Sequence, residues 1–169
     1  LTMLLLVFTL ATPAMAERPR PLGWALDAMR AGNWDSAAQI AARDGPVAAD
    51  VIEWHRLRAG LGTYPEVRAF LDRRPDWPGE AFLREKSEDA VLDQSDAVIL
   101  GFFSQVRPQT PLGVLAHARA LINAGQSGDA QTGIVLAWRT MPMNATSQAL
   151  FLAEHETILQ PHHGARLDA

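Results

Sequence analysis

The chain contains no cysteine, which excludes a disulfide framework, a thiolate metal centre, a cysteine nucleophile and a lipid anchor on an N-terminal cysteine. Lysine is nearly absent too: Lys86 is the only one among 15 cations, set against 19 acids. The resulting net charge of −4 leaves no basic field of the kind that meets nucleic acid. No apolar run reaches the roughly 20 residues that a membrane-spanning helix requires. Apolar and polar residues nowhere keep up the strict alternation of a strand, and no phosphate loop, nucleophile elbow or metalloprotease helix occurs.

What the sequence does have is apolar residues at helical spacing. At 169 residues with 48% hydrophobic content, a chain can bury roughly two-thirds of its unfolded surface. The fold class is all-α, with helical hairpins stacked into a TPR-like superhelix, a solenoid. The first hairpin is Leu22 to Arg43. One half sets Trp24, Ala25, Ala28 and Met29 on a face, and the other half sets Trp34, Ala37, Ala38 and Ala41 on another. Between them, Gly32 in Ala31-Gly32-Asn33 suits a left-handed helix stop, and Asn33 or Asp35 suits the next N-cap. Small residues let the backbones approach, with the Trp side chains filling the wider end. The Ala-Gly stop recurs at Ala59-Gly60 and Ala124-Gly125. The spacing is shorter and less regular than the roughly 34 residues of a tetratricopeptide repeat, so the resemblance to that repeat is one of geometry.

Further helices follow in order. Val47 to Leu57 and Tyr64 to Arg73 come first, and Pro75-Asp76-Trp77-Pro78-Gly79 then breaks the chain firmly. Ala81 to Leu92 resumes with Glu85, Ser87, Glu88 and Asp89 as a solvated face. Ser95 caps a segment through Phe103 that is apolar nearly all round and is therefore expected to be central. Thr110 as N-cap with Pro111 behind it starts another helix. Ser127 restarts the chain, Thr146 caps the helix through Ile158, and Pro161 to Ala169 begins one more.

Residues 1–16 end in Pro13-Ala14-Met15-Ala16 after an apolar run, which fits the core and cleavage site of a secretory signal peptide lacking its positive n-region. Export to the periplasm is expected. Residues 17–169 then form the superhelical domain, and the last helix is expected to continue beyond Ala169.

Candidate chemistry is sparse. Glu154-His155-Glu156 offers two carboxylates and an imidazole, but successive helical positions diverge, so a solvated face is expected. His162-His163 lacks a third ligand at metal spacing. Trp24, Trp34, Trp54, Trp77 and Trp138 suit core packing better than sugar stacking. Arg56-Leu57-Arg58 and Arg73-Arg74 are interleaved with Glu53, Glu66, Asp72 and Asp76, which makes a mixed surface. No catalytic, cofactor-binding or metal-binding residue is assigned.

Several stretches in order resemble the N-terminal superhelical (U-type) domain of soluble lytic murein transglycosylases. They are Asp50-Val51-Ile52-Glu53-Trp54-His55-Arg56-Leu57-Arg58, Phe70-Leu71 with Pro75-Asp76-Trp77-Pro78, and Leu83-Arg84 with Glu88 and Ala90. Ile99-Leu100-Gly101-Phe102-Phe103, Pro111-Leu112-Gly113 with Leu115-Ala116, and Ala165-Arg166-Leu167-Asp168 extend the match. The resemblance implies a periplasmic enzyme that cleaves peptidoglycan glycan strands to 1,6-anhydromuramyl products with one Glu in a C-terminal lysozyme-like domain. That domain's Glu-Ser, Gly-Leu-Met-Gln and Ala-Tyr-Asn motifs are absent here, so no catalytic residue carries over. The implied role is a non-catalytic scaffold and substrate guide, with a glycan strand and the missing catalytic domain as partners and no cofactor. The alternative is a stand-alone periplasmic helical-repeat adaptor for proteins or peptides. A third reading, glycosidase action through Glu154 or Glu156, would require cleavage that is lost in Glu154→Gln or Glu156→Gln.

Overall fold

The structure, a computed structural model, describes residues 21–167, and among them every regular element is helical. The expected signal peptide at 1–16, the leader through Arg20, and Asp168 and Ala169 lie outside the described residues. The chain divides into two compact units, one through Ile52 and one from Glu53 onward.

In the first unit, α1 (Pro21–Arg30) and α2 (Trp34–Ala41) form a hairpin, a 3-10 turn spans Ala42–Asp44, and α3 (Pro46–Arg58) contributes its part through Ile52. Pro21 suits the first helical position because it has no N–H to leave unpaired. Asp44 returns to the start of α1, where its carboxylate accepts from the Leu22 N–H at 3.3 Å, at the positive end of the helix. Ala25, Ala37 and Ala41 are fully buried together with Ile52. Alanines at the facing positions bring the helices too close for an indole to enter. Trp24 therefore points outward at 54% exposure and Ala38 is exposed as well, contrary to the expectation that both fill the hairpin.

The three Ala-Gly stops share one geometry. Gly32, Gly60 and Gly125 all have φ between 74° and 78°. At each, the glycine N–H reaches back three residues and the next N–H reaches back five: Asn33 to Ala28, Leu61 to Arg56 and Gln126 to Leu121. This is the Schellman arrangement, which satisfies the last carbonyls of α1, α3 and α7 (Pro111–Asn123).

The second unit continues with α4 (Tyr64–Arg73), α5 (Glu80–Lys86), a 3-10 turn at Glu88–Ala90 and α6 (Asp96–Phe102). After α7 come α8 (Ser127–Thr140), α9 (Ala145–Leu159), a 3-10 turn at Gln160–His162 and α10 (His163–Leu167). One apolar cluster joins Leu57, Phe70, Leu83, Val91 and Phe102, and a second joins Leu115, Ile134, Trp138, Phe151 and Leu159. Leu100 of α6 packs against both clusters, which fits the central place expected for this helix, although Ala97 and Gly101 on its other side are exposed.

Two local expectations need correction. Helix α9 is capped by Asn144 and not by Thr146: the Asn144 side-chain oxygen accepts from the Ser147 N–H at 2.8 Å, a geometry as favourable to Asn as to Thr. The stretch expected to form the solvated face of a helix to Leu92 instead leaves the α-helix at Lys86 and buries Ser87 and Glu88. Glu88 accepts from the Gln109 N–H at 2.6 Å, the Thr110 N–H at 2.9 Å and the Thr110 hydroxyl at 2.5 Å. It is thus the anion at the start of α7, where the exposed N–H groups of a helix favour negative charge.

Candidate functional site

A polar cleft of about 500 Å³ in the second unit is lined from α4, α5, α6 and the turns beside them. Helix α4 begins at Thr63, whose N–H and hydroxyl both donate to Glu66 at 2.8 Å. Arg56 adds a 2.6 Å bond to the same carboxylate. The Thr63 backbone N–H, then Arg56 and the Thr63 hydroxyl, hold the Glu66 carboxyl down at about 2. With its start fixed, α4 presents Tyr64, Arg68 and Asp72, one turn apart, to the cleft. Helix α5 presents Glu80 and Arg84, and α6 supplies Phe102 and the bare backbone at Gly101.

Each carboxylate of the cleft is held by a guanidinium one helical turn away. Arg68 Nε donates to both Asp72 oxygens at 2.9 and 2.8 Å, and Arg84 Nε donates to Glu80 Oε1 at 2.7 Å. Asp72, and secondarily Tyr64, strengthen the hold of Arg68 on its proton. The Tyr64 and Phe102 rings meet edge-on at 6.5 Å, and the Arg84 guanidinium lies 5.8 Å from the Phe102 ring. A surface of paired charges and a phenol can hydrogen-bond hydroxyl groups.

The residues singled out in the sequence are scattered among several environments. Glu154 forms a two-pronged pair with Arg119 at 3.0 and 2.7 Å, which lowers its pKa. A carboxyl kept ionised in this way is the opposite of a glycosidase acid, whose proton must be retained near neutral pH. His155 beside it is buried, not solvated, and burial lowers its pKa. Its backbone (φ −137°, ψ 23°) interrupts the helical path of α9, and its Nε2 is enclosed with no hydrogen-bond partner. Glu156 is exposed, so the three do not converge. His163 packs edge-on against Trp138 at 5.7 Å, while His162 lines a separate concavity with Ile158 and Arg139. No group of three or more His, Cys, Asp or Glu that could hold a metal ion is found among the described residues.

Trp138 is core, stacked on Phe151 at 6.3 Å, and Trp77 lies edge-on to Phe70 at 5.9 Å, plugging the Pro-bounded turn. Trp54 and Trp34 are half-buried, and Trp24 is the exposed exception. Of the arginine runs, Arg56 and Arg73 are paired, Arg73 with Glu53 at 2.6 Å, and Arg74 lies over Trp77 at 5.4 Å. Arg58 makes ring contacts only. Sequence reasoning did not assemble the cleft, because its lining comes from three helices whose mutual placement no local pattern encodes. No helix among the described residues is long and apolar enough to cross a membrane. No family model, no curated protein and no solved structure matches the chain.

Proposed function

We propose that the chain is a non-catalytic scaffold and substrate-guiding domain of a periplasmic lytic transglycosylase, with its helix pairs stacked as a TPR-like superhelix. The ordered segments from Asp50 to Asp168 that resemble such domains support the reading. The observation that carries it is the α4–α5–α6 cleft, in which both carboxylates are tied to arginines. Such a cleft offers paired charges and a phenol to the hydroxyl groups of a polyhydroxylated strand, with each carboxylate already engaged by a guanidinium. The recurring Ala-Gly stops of α1, α3 and α7 support the repeat character.

Co-sedimentation of the chain with purified peptidoglycan sacculi tests the reading. Binding is expected, without release of 1,6-anhydromuramyl products, and Tyr64→Ala combined with Arg68→Ala is expected to lower it several-fold. Failure to sediment with sacculi would sink the proposal. So would product release that disappears in Glu154→Gln.

A further inference from the structure

Arg58 differs from the paired arginines of the second unit. Arg56, Arg68, Arg73, Arg84 and Arg119 each reach a carboxylate within 2.8 Å, and Arg166 is held by the Trp138 and Met141 carbonyls. Arg58 is only half-exposed, yet no hydrogen bond or ion pair joins it to any described residue. Its guanidinium instead lies against two rings, with its central carbon 4.2 Å from the Trp54 centroid and 4.7 Å from that of Phe82. Trp54 lies one turn earlier on α3, and Phe82 sits in the first turn of α5 after the bend at Gly79. The Gly79 Cα lies close enough that an added Cβ would touch Trp54 at 3.7 Å. Lys86, one turn beyond Phe82, places its ammonium 5.1 Å from the same ring and pairs with Glu85 Oε1 at 3.0 Å. Phe82 itself stays 40% exposed.

Both ring contacts involve the guanidinium itself. Arg58 Nε and Trp54 Nε1 are both enclosed without an acceptor, so the edge left for an incoming group is the one bearing Nη1 and Nη2. That edge is a planar two-donor fork, which matches a carboxylate in geometry and charge. We propose that Trp54, Arg58, Phe82 and Lys86 form a binding site for a carboxylate-bearing ligand, with the carboxylate on the Nη1–Nη2 edge and the rest of the ligand lying along Phe82. None of these residues lines the α4–α5–α6 cleft. The site stands without the glycan reading, and only the use of a muramyl sugar as a probe rests on that reading.

The test is a nuclear magnetic resonance titration of the full chain, following the Trp54 indole N–H assigned through Trp54→Phe. The probes are N-acetylmuramic acid, N-acetyl-alanine and, as the carboxylate-free control, N-acetylglucosamine. Both acids are expected to shift the Trp54 signal and the control is not. Arg58→Gln is expected to weaken the acids about tenfold or more, the usual loss for a charge-assisted hydrogen bond. Arg58→Lys keeps the charge without the fork, is expected to weaken them similarly, and is the milder change should the glutamine variant fold poorly. A preference for the muramyl acid assigns the carboxylate to the sugar, and the reverse assigns it to a peptide terminus. Equal shifts from all three probes, no shift from either acid, or unchanged affinity in both Arg58 variants would overturn the site. Acid binding without sacculus binding would leave this site standing and remove the glycan reading, and the converse would do the opposite.

Discussion

Glu88 shows what a single residue can conceal from sequence. Set among Glu85, Ser87 and Asp89 it has the pattern of an exposed helix face, and only partners 21 and 22 positions later reveal it as the anchor of α7. Burial pushes its carboxyl pKa up, and the hydrogen bonds from Thr110 and Gln109 oppose that shift without cancelling it. Between the ordinary carboxylate value and the raised one, the folded state holds more protons than the unfolded state, so stability falls as pH rises through that window. In Glu88→Gln this slope should vanish from urea midpoints measured across the window. The amide also turns a donor toward a buried N–H, so the variant should be less stable by about 2 kcal/mol. Gly113 provides an independent check: an added Cβ would stand 2.2 Å from Glu88 Oε2, so the carboxylate held by three donors must move. Gly113→Ala is expected to lower stability by about 2 kcal/mol, and a chemical denaturation curve coincident with wild type would contradict this account of the junction.

Glycine stops and the Thr-Pro start are legible at the scale of elements because their signals are local, whereas the end of α5 at Lys86, six residues short of the expected Leu92, carries no such signal. The glycines at 32, 60 and 125 and the Thr110-Pro111 start all behave as their chemistry dictates, with the Thr110 hydroxyl accepting from the Gly113 N–H at 3.0 Å. The α9 cap was misplaced by two residues because Asn144 and Thr146 are both competent and the choice between them depends on where the chain enters the helix. At α4 the start is electrostatic. Glu66 has its carboxyl lowered to about 2 by Thr63 and Arg56. A depressed acid contributes stability that is full above its unfolded value of 4.5 and is lost as pH falls toward about 2. Because Glu66 is partly exposed, solvent screening limits the contribution to about 1 kcal/mol or less. Wild type and Glu66→Gln should therefore differ in unfolding midpoint at neutral pH and converge as the solution is acidified from 4.5 to below about 2. A gap that persists at low pH would show that the carboxylate acts by packing and not by charge.

Over the whole molecule, the all-α class followed from the absence of strand alternation together with repeated helical spacing. The lining of the cleft and the Arg58 clamp depend on the mutual placement of helices, which spacing within one helix does not contain. The two units also differ in what they bury. The first has Ala25, Ala37, Ala41, Ala48 and Ile52, whereas the second has Phe70, Phe151, Leu57, Leu115, Ile134 and Trp138. Burial of a leucine- or phenylalanine-sized side chain contributes about 1.5–3 kcal/mol, against about 0.8 kcal/mol for a group the size of one methylene. Close backbone approach through alanine gives α1 and α2 good contact and little area. Local opening free energies follow buried apolar contact, so native-state hydrogen exchange should find the amides of α1 and α2 opening at lower free energy than those of α7 and α8. The same experiment on Ala37→Ser, which places a hydroxyl at a fully buried position, should lower protection in α1 and α2 further while leaving α7 and α8 unchanged. Equal protection in both hairpins of the wild type would mean that the alanine contact stabilises far more than its area implies.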